Sequence, residues 1–214
     1  MSKYSRFWEF GRKIICVGRN FRAHAKELGN EVPDDPIIFL KPSTAYVREP
    51  NKIRLPPNTN ELHHEVELGL VIGKNGSNIT EENAMEHVAG YCVALDMTDR
   101  DKQTALKKKG LPWSLAKSFD TSCPVGDFLP KEMIRNPEDV RLWLKVNDVM
   151  KQDGQTDCMI FSPSKLISFV SGYFTLEEGD LILTGTPSGV GPVSAGDRIE
   201  AGVNELSSIK FLIE

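Results

Sequence analysis

The sequence has no apolar run approaching the ~20 residues of a membrane-spanning helix, and no apolar stretch of secretory-leader type. Positive charge is not in excess. Lys and Arg total 26 against 30 Asp and Glu, a formal net charge of −4, which argues against nucleic acid as the default partner. Cysteine is scarce. Cys16, Cys92, Cys123 and Cys158 are too far apart for a C-x-x-C pair, so neither a zinc knuckle nor a dithiol redox motif is indicated. Cys16 and Cys92 sit in apolar runs and read as small core residues, although the count alone leaves room for two disulfides. H-E-x-x-H, a Gly-Lys-Ser/Thr phosphate loop and G-x-G-x-x-G are all missing, so nucleotide binding is not expected. Regular β–α–β alternation is also missing, which counts against a doubly wound parallel sheet. There is no repeat, low-complexity segment or linker.

What remains is a chain of 214 residues, 40% hydrophobic and 26% charged, the balance of a folded globular protein. Strand signals dominate: 13–17, 36–40, 63–72, 88–96, 140–146, 180–184, 197–203 and 206–213 are β-branched or alternating, with turn residues between them. Helix signals are fewer. The spacing predicts helices over 21–28, 81–87, 99–109 and 163–173, the last with Ser162 as cap and Pro163 at the first helical position. The expected class is α+β, β-dominated. Residues 1–11, with Lys3 and Arg6 against Glu9, read as a flexible N-terminal segment or short transit leader. Residues 12–214 read as one domain.

Three carboxylates stand out. Along 63–72 the alternation puts His64, Val66, Leu68, Leu70 and Ile72 on one strand face and His63, Glu65 and Glu67 on the other. Carboxylates ~6.6 Å apart on one face repel unless a cation or proton lies between them. Asp96 ends a second apolar strand, and pairing the two strands would bring all three acids together. An all-oxygen set with open positions suits Mg²⁺ or Mn²⁺. The alternatives are a solvated strand face with a helix-capping Asp96, or a zinc site using His63 or His64.

His24 and Glu27 are three apart and share a helical face, the arrangement that orients an imidazole as a base; an ordinary surface pair has the same spacing. His87, beside a polar helix end, reads as structural. Thr184-Gly185-Thr186-Pro187-Ser188-Gly189-Val190-Gly191 reads as a plain turn or as a loop that approaches a small anion. Lysines 107–109 read as a solvated helix C-terminus. Lys117, a lone cation in apolar company, either snorkels outward or points into a site.

The ordered set Gly18-Arg19-Asn20-Phe21…His24…Glu27, Phe39-Leu40-Lys41-Pro42, Glu65-x-Glu67, Leu95-Asp96-Met97-Thr98…Arg100…Gln103, Lys108-Lys109-Gly110-Leu111-Pro112-Trp113…Ala116-Lys117-Ser118-Phe119 and Gly179-Asp180…Thr184-Gly185-Thr186-Pro187 resembles the fumarylacetoacetate hydrolase family. The resemblance runs from about residue 12 to the C-terminus. It implies a mixed β-sandwich roll with a few short helices, usually a homodimer. It implies Glu65, Glu67 and Asp96 as ligands of Mg²⁺, with Mn²⁺ admitted. His24 and Glu27 would be a catalytic dyad on a lid, Lys117 a further catalytic residue, and Arg100, Gln103 and Thr186 substrate contacts. The implied reactions are acylpyruvate hydrolysis and oxaloacetate decarboxylation, with oxaloacetate keto–enol tautomerisation as a third. All act on small 2-oxo acids, with neither nucleic acid nor membrane as partner. The implied location is mitochondrial, with a cytosolic pool admitted. The competing reading is a non-catalytic, metal-dependent 2-oxo acid binding protein, which would not need the His24–Glu27 pair.

Overall fold

The computed structural model describes residues 2–27, 29 and 32–214. Its strands in chain order are β1 Ile14–Gly18, β2 Ile37–Lys41, β3 Tyr46–Val47, β4 Leu62–His64, β5 Val66–Ile72, β6 Val88–Leu95, β7 Thr98–Asp99, β8 Cys123–Pro124, β9 Leu129–Pro130, β10 Arg141–Val146, β11 Val149–Gln155, β12 Leu181–Leu183, β13 Gly191–Val193, β14 Arg198–Val203 and β15 Ser207–Leu212. The α-helices are α1 Phe7–Phe10, α2 Arg22–Glu27, α3 Glu81–Ala84, α4 Arg100–Lys108, α5 Ser114–Lys117 and α6 Pro163–Ser171. Leu28, the last residue of the helix expected over 21–28, lies outside the described residues.

The largest sheet has the order β2-β1-β12-β5-β6-β9, and β1–β12 is its parallel pair. A four-stranded antiparallel sheet, β11-β10-β14-β15, faces it. Between them lies the main core. Leu68, Leu70, Tyr91 and Val93 come from the large sheet; Leu142, Leu144, Ile199, Ala201, Ile209 and Phe211 come from the small one; Leu166, Ile167 and Val170 come from α6. The period-two burial of β10 is the pattern that packs one face and wets the other. A second core covers the other face of the large sheet: Ile14, Cys16, Val71, Cys92, Ala94, Leu181 and Leu183 meet Phe7, Ala45, Cys123 and Val125. This is the expected β-dominated α+β sandwich.

Three expectations are corrected. In the segment expected over 1–11, the described residues 2–11 are not a flexible tail. Phe7 is fully buried, Arg48 stacks 3.7 Å over the Trp8 ring, and Tyr4 donates its hydroxyl to the Gly73 carbonyl at 2.7 Å. A Cβ at Gly11 would lie 2.1 Å from the Gly179 carbonyl oxygen, so glycine permits this close approach. The strand over 63–72 breaks at Glu65: the Val66 N–H donates to the Gln152 side chain at 3.1 Å, and β4 peels away to pair with β7 and β13. The β10–β11 hairpin was not expected, because β11 is mostly exposed and lacks apolar alternation. Its turn residues Asn147 and Asp148 have φ of 48° and 64°, the left-handed pair of a tight hairpin turn. All four cysteines are free.

Candidate active site

Strand register builds the acidic cluster. β5 and β6 are antiparallel with Val66 opposite Leu95 and Glu67 opposite Ala94, and the Asp96 N–H donates to the Glu65 carbonyl at 2.9 Å. Glu65, Glu67 and Asp96 therefore share one face at the end of this ladder, and their ligand atoms lie within 4.8 Å of one another. All three are buried. Neither His63 nor His64 belongs to the cluster. His63 pairs with Glu61 at 2.7 Å and accepts from Arg100 Nε at 3.3 Å, and His64 bonds Gln152 at 2.9 Å. His87 bonds the Lys74 carbonyl at 2.9 Å, a structural contact.

Each carboxylate has a different environment. Glu65 accepts from Thr98 Oγ1, Arg100 Nη2 and Lys117 Nζ, each at 2.8 Å. Burial favours its neutral form, but the ammonium of Lys117 and the guanidinium of Arg100 outweigh this and hold the carboxyl well below the usual range. Asp96 meets Lys117 Nζ through Oδ2 at 2.6 Å. Its Oδ1 lies 2.8 Å from Lys41 Nζ but accepts no hydrogen bond. Glu67 accepts only from the Gly185 N–H, at 2.5 Å, among the described residues. Burial, then the carboxylates of Asp96 and Glu65, push its pKa well above the usual range. A buried oxygen without a hydrogen bond, and a carboxyl disfavoured as an anion by its neighbours, are what a divalent cation would relieve. The donor set fits a hard, oxygen-loving ion.

Lys117 does not snorkel outward. It is 3% exposed, 5.1 Å over the Phe39 ring, and aimed at Glu65 and Asp96. Burial alone would lower its pKa, but the two carboxylates hold it above the ordinary lysine value. Sequence reasoning missed Lys41 as a site residue. It is 1% exposed and donates to Ser122 Oγ at 3.1 Å and to the Lys117 carbonyl. Its signals were its position at the end of an apolar strand and its place in the Phe39-Leu40-Lys41-Pro42 stretch, neither of which was read as a site.

The glycine-rich loop after β12 does not wait for a free anion; it binds two of the protein's own carboxylates. Gly185 donates to Glu67, and Gly189 donates to both Glu27 oxygens at 3.1 and 3.3 Å. Both glycines have left-handed φ, 96° and 93°, and a Cβ at Gly189 would lie 1.9 Å from the Lys151 carbonyl oxygen. Glu27 in turn lies 3.2 Å from His24 Nδ1, which leaves Nε2 as the free ring nitrogen of a buried imidazole. Thr186 donates its hydroxyl to the Val66 carbonyl and accepts from Gln152 Nε2, both at 2.8 Å, so it offers the cleft an acceptor. Gln152 has no signal in its polar strand.

These groups share one cleft of about 200 Å³. His24, Glu65, Glu67, Asp96, Arg100, Gln103, Lys117 and Thr186 line it, with Phe39 and Trp113 as an apolar wall. Glu27 stands behind His24 rather than in the lining. Lys107, expected in a solvated helix end, also reaches the cleft, as does Arg19. Arg100 is braced by Gln103 at 2.6 Å.

The family model for the C-terminal region of fumarylacetoacetate hydrolase matches residues 13–213. The chain is 56% identical over 210 residues to the Mus musculus protein named oxaloacetate tautomerase FAHD1, mitochondrial, covering 98% of this chain and 95% of that one. It is 51% identical over 205 residues to the Dictyostelium discoideum oxaloacetate decarboxylase, mitochondrial, covering 95% and 94%. A crystal structure of fumarylpyruvate hydrolase from Pseudomonas aeruginosa with Mn²⁺ and pyruvate superposes with a TM-score of 0.91 at 38% identity, covering 95% of this chain and 89% of that one.

Proposed function

We propose that this chain, which belongs to the fumarylacetoacetate hydrolase family, is a divalent-metal-dependent enzyme of small 2-oxo acids. It tautomerises and decarboxylates oxaloacetate and hydrolyses acylpyruvates. The observation that carries this reading is the meeting, in one cleft, of three buried carboxylates with the His24–Glu27 dyad. A non-catalytic binder would need the first and not the second.

Glu65, Glu67 and Asp96 would hold the ion, Mg²⁺ or Mn²⁺, which when bound supplies Lewis acidity for the 2-oxo group. The chain's own residues do the rest. Arg100, Gln103 and Thr186 orient the polar end of the substrate. His24, kept in one tautomer by Glu27, takes a proton at Nε2. In tautomerisation that proton comes from C3; the C–H electron pair becomes the C2=C3 bond, the C2=O π pair moves onto the oxygen, and the oxygen takes up a proton to complete the enol. In acylpyruvate hydrolysis it comes from a water that attacks C4; the C3–C4 pair then moves toward C2, releasing a carboxylic acid and the enolate of pyruvate, whose C3 takes the proton back from Nε2. In decarboxylation C4 leaves as CO₂ with no water consumed. Lys117 faces the negative charge that develops on the C2 oxygen in all three. The relatives carry mitochondrial names, which supports a mitochondrial location; a cytosolic pool is part of the proposal alone. We propose residues 12–214 as one catalytic domain that works as a homodimer.

Turnover of oxaloacetate and acetylpyruvate with and without added Mg²⁺ tests the activity. Calorimetry on Glu67→Gln tests the ligand set. This variant should lose metal affinity at least tenfold while the metal-free protein melts no lower than wild type, because the amide still accepts from Gly185 and is neutral in a site that disfavours the Glu67 anion. Unchanged Mg²⁺ affinity would remove Glu67 from the ligand set.

A further inference from the structure

Glu61 and His63 have no part in the chemistry described so far, yet they join a residue that has. In sequence they extend the alternation that carries Glu65 and Glu67, since 61, 63, 65 and 67 fall on one face of an extended chain. β4 pairs with β7 so that His63 is opposite Thr98 and Leu62 opposite Asp99, and the Arg100 N–H donates to the Glu61 carbonyl at 2.8 Å. Glu61, His63, Thr98 and Arg100 therefore stand on one side of this short ladder. Thr98 Oγ1 and Arg100 Nη2 both turn to Glu65 Oε1, each at 2.8 Å. Arg100 also reaches back to His63.

A guanidinium has five N–H donors in one plane and no acceptor. Arg100 donates from Nε to His63 Nδ1 at 3.3 Å, from Nη1 to Gln103 at 2.6 Å and from Nη2 to Glu65 at 2.8 Å. Among the described residues this leaves one N–H on each terminal nitrogen for a ligand in the cleft, which Arg100 lines. The three bonds are not equivalent. Nη1 and Nη2 can trade places by rotation about Cζ–Nε. Nε cannot, so its bond decides which edge of the plane turns to β4 and which to the cleft. Because Nε can only donate, His63 Nδ1 accepts, and the ring proton is on Nε2, where it is donated to Glu61 at 2.7 Å. The His63 side chain is 12% exposed and that of Glu61 45%, so the carboxylate steadies the ring from the solvent side. A neutral imidazole holds Nε without cancelling the guanidinium charge that a substrate carboxylate seeks.

We propose that His63, kept in one tautomer by Glu61, is a positioning residue that fixes the guanidinium plane of Arg100, so that the arginine meets the carboxylate end of a 2-oxo acid in one orientation. The proposal rests on the reading above and deepens it. His63 touches no reacting atom in this account. It acts through Arg100, and its contribution is to substrate binding rather than to proton transfer, which stays with His24.

The test uses His63→Ala, His63→Asn and Arg100→Met. A hydrogen bond to a charged group is worth about a factor of ten. His63→Ala should therefore raise KM for both oxaloacetate and acetylpyruvate by about tenfold, while kcat changes less than about threefold. His63→Asn keeps a neutral acceptor near the Nδ1 position and should bring KM back near wild type. Arg100→Met leaves no guanidinium to hold, so adding His63→Ala to it should raise KM no further. An unchanged KM in His63→Ala, no rescue by His63→Asn, or additive losses in the double variant would overturn the proposal. Should His63→Ala melt far below wild type, Glu61→Ala takes its place. The ring then stays and loses its partner, so KM should still rise, whereas Glu61→Gln keeps an acceptor and should hold KM; equal KM in these two variants counts against the proposal. NMR separates its failure from failure of the enzymatic reading. Wild type should carry the His63 ring proton on Nε2 and exchange the Arg100 Nε–H slowly with water; exchange should quicken in His63→Ala and slow again in His63→Asn. If wild type turns over neither substrate, the reaction reading falls and these signals still decide whether His63 holds the guanidinium. A ring proton on Nδ1 in wild type would sink it.

Discussion

Lys117 places its ammonium 2.6 Å from Asp96 Oδ2 and 2.8 Å from Glu65 Oε2, so a buried lysine stands against two of the three clustered acids. Removing one partner of such a pair leaves uncompensated buried charge, at a cost of roughly 3–5 kcal/mol. Lys117→Met should therefore melt well below wild type without metal, and added Mg²⁺ should restore more stability to the variant than to wild type. Paired melting curves with Mg²⁺ and with a chelator measure both. A variant as stable as wild type in chelator would show the ion pair to be energetically idle.

Hydrolysis and decarboxylation differ in their demand on His24. An acylpyruvate needs a deprotonated water, and general-base assistance is worth ~10²–10⁴-fold. His24→Ala should lose about that factor in acylpyruvate hydrolysis and much less in oxaloacetate decarboxylation. The measurement is kcat/KM on both, after subtraction of the background decay of oxaloacetate. Equal losses would make His24 a positioning residue.

Gly189→Ala tests the loop that holds Glu27. The added methyl would meet the Lys151 carbonyl at 1.9 Å in a backbone of φ 93°, so the loop must shift and the Glu27 contacts must lengthen. Stability should fall by about 1–3 kcal/mol. Acylpyruvate hydrolysis should fall more than Mg²⁺ affinity does. Comparing kinetics with calorimetry distinguishes this from general damage, which would lower both together.

His64 predicts an acid limb in stability. It is 1% exposed, and burial lowers its pKa to about 4. The unfolded chain takes up this proton near the ordinary value of ~6.5, whereas the folded protein resists it. The stability it contributes is whole above about pH 6.5 and is lost as pH falls toward 4, by roughly 3 kcal/mol at most. The NMR titration midpoint of the His64 ring should be near 4, and a midpoint above 6 would refute the assignment.

The acidic cluster was legible because a strand has period two. Glu65 and Glu67 had to share a face with each other, and antiparallel pairing then set Asp96 beside them. The apolar face, Val66, Leu68, Leu70 and Ile72, was legible for the same reason and is wholly buried. What hid were contacts made across the fold. Lys41 reaches Asp96 from 55 positions away in sequence, and Gln152 bonds His64 and Thr186 from an exposed-looking hairpin; neither residue type at those positions departs from an ordinary surface strand. Lys107 sat in a run of three lysines whose commonest fate is solvent, and only the packing of α4 shows which of them turns inward. The docking of residues 2–11 escaped because its anchor, Phe7, packs against a core formed by distant segments.

Gly185 and Gly189 stand four residues apart on one loop, and each holds a different carboxylate by a backbone N–H. The loop therefore acts as a spacer of fixed length between the proton-handling end of the cleft and the acidic end. Neither end can drift without the other, since the same short stretch of main chain sets both. A one-residue insertion between them would leave every reactive side chain in the sequence and still put the base out of reach of the carbon it serves.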